Sequence, residues 1–96
     1  MNSQPNVRHN AAASRYEIEI DGKRAVVDYV LEQGAQVFTH TLVPPELRGR
    51  GLAELLVRAA LVDAQKADRR VVPACSYVAK FIERNTEFAG LVAPSD

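Results

Sequence analysis

Arg48-Gly49-Arg50-Gly51-Leu52-Ala53 divides a 96-residue chain into two halves of different periodicity. Upstream, apolar and polar side chains alternate, as they do along a half-buried strand. Downstream, Leu52, Leu55, Leu56, Ala59 and Val62 recur at three and four residues, the apolar stripe of a helix whose other side carries Glu54, Arg58, Asp63 and Lys66. The turn therefore joins a strand to a helix start, where four backbone N–H groups lack intrahelical partners and the helix dipole adds partial positive charge. Such a start attracts anions. Glycines there let a phosphate approach the backbone, and Arg48 and Arg50 supply donors suited to its oxygens.

Upstream of the turn, Arg15-Tyr16-Glu17-Ile18-Glu19-Ile20 alternates and runs into Asp21-Gly22, a strand entering a hairpin. Residues 24–32 read as the returning strand, Gln33-Gly34 as a second turn and 36–43 as a third strand. The first half thus predicts an antiparallel meander, ended by Pro44-Pro45 because neither residue can donate to a ladder. Downstream of the helix, Val71-Val72-Pro73-Ala74-Cys75 predicts a short buried strand, irregular or at an edge because of Pro73. Ser76 can cap a second helix bearing Tyr77, Val78, Phe81 and Ile82, which ends at Asn85-Thr86 before a short closing segment. Three strands, helix, strand and helix make an α+β fold on a mixed sheet, in which strand 3, helix and strand 4 form one right-handed crossover. Residues 1–12 predict a flexible tail ahead of a single domain over 13–96.

Composition fits one small globular domain, with 47% apolar and 25% charged residues. Twelve basic residues balance twelve acidic ones, so there is no whole-molecule field to draw in nucleic acid or an anionic membrane. Any anion site must be local. A lone Cys75 rules out an internal disulfide or a multi-cysteine zinc cluster, and His9 and His40 give little basis for a metal. The N-terminus lacks signal-peptide character and no long apolar stretch occurs, which predicts a cytoplasmic protein.

Spacing separates three phosphate-binding schemes. A nucleotide-hydrolase loop needs Gly-Lys-Ser/Thr where this chain has Gly51-Leu52-Ala53. A dinucleotide fingerprint needs a small residue where Glu54 stands, and a strand–helix–strand unit instead of a meander before the turn. Arg48, Gly51 and Ala53 do match an Arg-x-x-Gly-x-Gly/Ala turn that holds a pyrophosphate on successive backbone amides. Three motifs, in order, then resemble the GNAT superfamily of N-acetyltransferases and its short single-domain branch: His40-Thr41-x-Val43-Pro44, Leu47-Arg48-Gly49-x-Gly51-Leu52-Ala53, and Pro73-x-Cys75-Ser76-Tyr77-Val78 with Phe81-Ile82. The resemblance covers about residues 15–92. It implies acetyl-CoA as acyl donor, with contacts from Val43, Leu47, Arg48, Gly49, Arg50, Gly51, Leu52, Ala53, Ser76 and Asn85.

Acetyl transfer from a thioester to an amine needs a neutral amine, oxyanion stabilisation and a proton for the departing thiolate. Either the amine attacks directly or a cysteine takes the acetyl group first. Cys75, between a strand end and a helix start that favours the thiolate, is the candidate nucleophile; its alternative is a small inert core residue. His40, on the strand leading to the turn, is the candidate base, or else a structural histidine bonded within the sheet. Related short-branch sequences often have Thr-Glu-Val where this chain has Thr41-Leu42-Val43, so a carboxylate base is missing there. Tyr77 matches the superfamily's proton donor to the CoA thiolate, or simply packs; Asn85 lies near the pantetheine arm or caps the helix.

Three functions compete on these residues. The first is an N-acetyltransferase acting on a primary amine of a small molecule or protein. The second is a non-catalytic CoA-binding or protein-interaction module. The third, a nucleic-acid binder, has only Arg48, Arg50, Arg69 and Arg70 behind it and no aromatic ladder. The chain leaves the acceptor and the oligomeric state open.

Overall fold

The structure, a computed structural model, describes residues 6–92. Five strands form one mixed sheet in the order β1 (Arg8–Asn10), β2 (Arg15–Ile20), β3 (Lys23–Glu32), β4 (Ala35–Leu42) and β5 (Arg70–Pro73). The first four run antiparallel as successive neighbours, and β5 joins β4 in parallel. A parallel neighbour needs a crossover, and helix α1 (Leu52–Lys66) provides it. Helix α2 (Ser76–Arg84) follows β5, and a 3-10 turn over Thr86–Leu91 closes the chain. This is the α+β arrangement that the sequence predicts.

Both hairpin turns begin with a residue in the left-handed region, Asp21 (φ 52°) and Gln33 (φ 51°), each followed by a glycine of the same hand. That pair is the I′ geometry, whose twist matches the strands it joins. Tyr16, Ile18, Ala25, Val27, Tyr29 and Phe38 project from one face of the sheet and are all buried. Helix α1 covers them with Leu56, Val57, Ala60, Leu61 and Ala64, and α2 with Val78, Phe81 and Ile82. Burying a leucine such as Leu56 or Leu61 contributes about 1.5–3 kcal/mol, so this one face carries most of the fold's hydrophobic stabilisation.

The buried side of α1 differs from the predicted stripe. Ala59 and Val62 are only half-buried, whereas Val57, Ala60, Leu61 and Ala64 point fully inward. So many residues of this helix are apolar that two adjacent stripes compete, and the one facing β2 and β3 wins.

The predicted tail over residues 1–12 meets a different outcome where it is described. Residues 1–5 lie outside the described residues, but Arg8–Asn10 add an edge strand to β2. His9 secures that strand, stacking on Tyr16 with ring centroids 4.1 Å apart and planes within 4°, while its Nε2 lies 2.7 Å from Tyr29 Oη. Three residues are too few to show a period, so nothing local in the sequence announces this strand.

One irregularity positions the site. Asp28 of β3 opposes His40, and Tyr29 opposes Phe38, so Thr39 is an extra residue in β4, a β-bulge. Thr39 Oγ1 donates to the Asp28 carbonyl at 3.4 Å. Side chains alternate along a strand, and one extra residue reverses which of them face the helices. Phe38 faces inward before the bulge; Thr41, opposite the fully buried Val27, faces inward after it. His40 and Leu42 accordingly turn to the open face of the sheet.

Candidate active site

Between β4 and α1 the chain makes a 3-10 turn over Pro45–Leu47, anchored by Leu47, which is 2% exposed. Arg48 follows in an extended conformation, and its Nε donates to the Val43 carbonyl at 3.1 Å, bracing the loop against the end of β4. Gly49 (φ 82°) and Gly51 (φ 75°) are both left-handed, a region that costs other residues about 1–2 kcal/mol. The space above both is open, with no heavy atom within 4 Å of where a Cβ would stand. Gly51 is the N-cap of α1 and its carbonyl accepts from Leu55 at 3.2 Å, but no side chain bonds the first-turn N–H groups. These groups face outward into a cleft of about 250 Å³ lined by Val43, Leu47, Arg48, Gly49, Gly51, Leu52, Ala53, Glu54 and Tyr77. Uncapped amides, an open glycine cradle and one guanidinium fit a pyrophosphate-like anion.

Seven of the ten residues predicted to contact the donor line this cleft. Arg50 is exposed and does not line it. Ser76 is exposed as the first helical residue of α2, because the N-cap position falls to Cys75. Asn85 is the C-cap of α2: its Nδ2 donates to the Phe81 carbonyl at 2.9 Å, and its Oδ1 accepts from Arg58 at 3.2 Å. Asn85 borders a second, smaller cavity of about 120 Å³ with Glu54, Tyr77, Lys80, Phe81 and Arg84. Arg69 donates to the fully buried Gln36 at 3.2 Å.

Tyr77 and Glu54 stand between the two cavities. The helical stripe puts Glu54 on the solvent side of α1, and the sequence gives no sign that this side forms a wall of the cleft. Burial, and then the Glu54 carboxylate, raise the Tyr77 hydroxyl above the usual tyrosine range, although Arg84 opposes them. Tyr77 therefore keeps its proton at neutral pH.

Two residues beyond Tyr77 on one wall and Val43 on the other, Cys75 meets Thr41, with Sγ and Oγ1 3.4 Å apart. The Cys75 N–H donates to the Phe38 carbonyl at 2.8 Å, which ties the start of α2 to β4 at the last residue that β5 pairs. Beyond Phe38, β4 has no β5 partner. Burial pushes the Cys75 thiol up, but the Thr41 hydroxyl and the N–H groups of Val78, Tyr77 and Thr41 outweigh it and bring the thiol below its ordinary value.

His40 is not brought to the thiol. Its side chain, 59% exposed on the open face, has Nδ1 3.6 Å from Asp28 Oδ2. Leu42, on the same face, is exposed as well. Read by simple alternation from Phe38, His40 would face inward; the bulge at Thr39 gives that place to Thr41.

A strand–turn–helix crossover with a glycine cradle at the helix start, on a mixed sheet built from a meander, is consistent with the fold of the GCN5-related N-acetyltransferases. Residues 15–91 match the family described as GCN5-related N-acetyl-transferase, and the chain belongs to that family. Among individual proteins it is similar to Protein NATD1 of Bos taurus, 34% identical over 83 residues that make up 82% of this chain and 73% of that protein. Protein NATD1 of Homo sapiens is 31% identical over 83 residues, 82% of this chain and 73% of its own length. Among the described residues, no helix is long and apolar enough to cross a membrane.

Proposed function

We propose that this protein is an acetyl-CoA-dependent N-acetyltransferase that delivers the acetyl group to a primary amine of a small molecule or a protein. The observation that carries the reading is the uncapped, glycine-opened start of α1, which faces a cleft whose far wall is Tyr77. The pyrophosphate of CoA binds the first-turn amides and Arg48, and the thioester end extends past Tyr77 towards Cys75.

In the first step the Cys75 thiolate attacks the thioester carbonyl. A sulfur–carbon bond forms to Cys75, the bond to the CoA sulfur breaks, and Tyr77 gives that sulfur its proton. In the second step the amine nitrogen attacks the acetyl-cysteine and the electron pair returns to Cys75. The amine proton leaves to solvent along the unpaired end of β4, since His40, paired with Asp28 on the open face, is not brought to the thiol.

Melting of the wild-type chain with saturating acetyl-CoA tests donor binding, since a ligand of the native state must stabilise it. An unchanged midpoint sinks the reading. Mass spectrometry after incubation with acetyl-CoA tests the thiol: an acetyl adduct on Cys75 is expected, and its absence with full activity in Cys75→Ala removes the covalent route. A second reading, a CoA-binding module without chemistry, is favoured by Leu42 standing where a carboxylate base is expected and by the separation of His40 from the thiol. Stabilisation by acetyl-CoA with no CoA thiol released in the presence of any amine would select that second reading.

A further inference from the structure

Thr41 reaches Cys75 only because Thr39 is extra. Without that bulge the inward place after Phe38 belongs to His40, and Thr41 turns to the open face. With it, a hydroxyl stands 3.4 Å from the sulfur, and Thr41 Oγ1 has no other hydrogen-bond partner among the described residues. Its proton is therefore free for sulfur. Threonine is branched at Cβ, which restricts χ1 and so limits the hydroxyl's positions. The distance between the two walls is also fixed, because the Cys75 N–H is bonded to the Phe38 carbonyl.

We propose that Thr41 is a positioning residue for acyl transfer, its hydroxyl being the donor that holds the Cys75 sulfur as a thiolate ready to attack. This rests on the reading of Cys75 as the nucleophile given above. A neutral thiol is a poor acceptor, whereas a hydrogen bond to a charged sulfur is strong, so the Thr41 bond favours the reactive form over the resting one. When the acetyl group arrives, sulfur loses its charge and the bond weakens. When the amine nitrogen displaces it, the electron pair returns to sulfur and the bond is restored, which makes Cys75 a better leaving group in the second half of the cycle. The hydroxyl proton stays on Thr41 throughout.

Cys75 is the single cysteine of this 96-residue chain, so its alkylation by iodoacetamide can be followed in the chain without ambiguity. The rate is measured from about pH 6 to 10 in the wild type and in Thr41→Val, which keeps the shape and removes the donor. Thr41→Val is expected to react about tenfold more slowly near pH 7, equivalent to about 1.4 kcal/mol, and to converge on the wild type above the ordinary thiol range. Thr41→Ser, which restores the donor, is expected within about twofold of the wild type. Thr41→Ala repeats the test should the valine variant not fold. Equal rates in wild type and donor-less variants at every pH overturn the proposal, as does a deficit that persists undiminished at high pH, which signals altered access rather than charge. Absence of an acetyl adduct on wild-type Cys75 defeats the covalent reading instead, and leaves the alkylation profiles to decide the Thr41 contact on their own.

Discussion

The two helices begin alike and are used differently. Neither α1 nor α2 has a side-chain hydrogen bond capping its first turn, so both leave amides for another group. At α1 the N-cap is Gly51, which contributes no side chain, and the amides open onto the cleft. At α2 the N-cap is Cys75 in an extended conformation, φ −79° and ψ 132°, and the amides of Tyr77 and Val78 favour charge on its sulfur. On the proposed function, one start serves an anion from outside and the other an anion of the chain's own making. A glycine and a cysteine at equivalent N-cap positions thus leave one helix start open and place a sulfur at the other.

The largest expected effect comes from blocking the open start of α1. Gly51→Glu puts a carboxylate where the donor phosphate belongs and a side chain at a φ of 75°. It should abolish stabilisation by acetyl-CoA and cost the free fold about 1–2 kcal/mol. Gly51→Ala, with the same strain and no charge, should keep a weakened ligand shift; an alanine variant as inert as the glutamate one would mean that shape, not charge, governs the cradle.

The clamp between the two helices comes next. Arg58 of α1 lies over the Phe81 ring at 5.2 Å and the Phe88 ring at 6.0 Å, and it donates to Asn85 at the end of α2. Its surface pairs with Glu54 and Glu87 add little. Arg58→Ala should lower stability by about 1–2 kcal/mol in chemical denaturation. It should also loosen Tyr77, so that acetyl-CoA binding falls even though no donor contact is removed.

Cys75→Ser sharpens the comparison most directly, because serine is a better N-cap than cysteine. Melting should show α2, and with it the fold, slightly stabilised, by about 0.5 kcal/mol, with acetyl-CoA binding retained and the covalent adduct gone. Loss of the ligand shift in this variant would show that the two helix starts are not separable.

The smallest effect is a pH dependence. The folded Cys75 thiol sits below its ordinary value of 9.0. Its contribution to stability is therefore fully present above about pH 9 and lost as pH falls through the lower folded value. The difference in melting midpoint between wild type and Cys75→Ala should shift in favour of the wild type as pH rises from about 6 to 9, then level off. A flat difference would mean that the sulfur is no more easily ionised in the fold than in the unfolded chain.

Most of the fold was legible because each feature had a local signature. Asp21-Gly22 and Gln33-Gly34 marked turns, Pro44-Pro45 ended the meander, and the change of period at Gly51 opened the helix. The cradle was legible for the same reason, since its glycines follow from backbone conformation. What was hidden depends on partners distant in the chain. Thr39 is an ordinary strand residue, and only its pairing with β3 makes it a bulge. That one residue decides that Thr41, not His40, faces the thiol. The place of Glu54 in the cleft wall depends on where α2 docks, and β1 depends on His9 finding Tyr16 and Tyr29.

The two cavities meet at Tyr77, and that position has an optical consequence. The chain has three tyrosines and no tryptophan, so nothing collects their excitation energy. Tyr16 is buried and donates to the Asp63 carboxylate at 2.8 Å, and Tyr29 is buried beside His9. Tyr77 alone borders the cleft. The protein thus carries an intrinsic, label-free fluorophore on the cleft wall, set against two others that lie away from it.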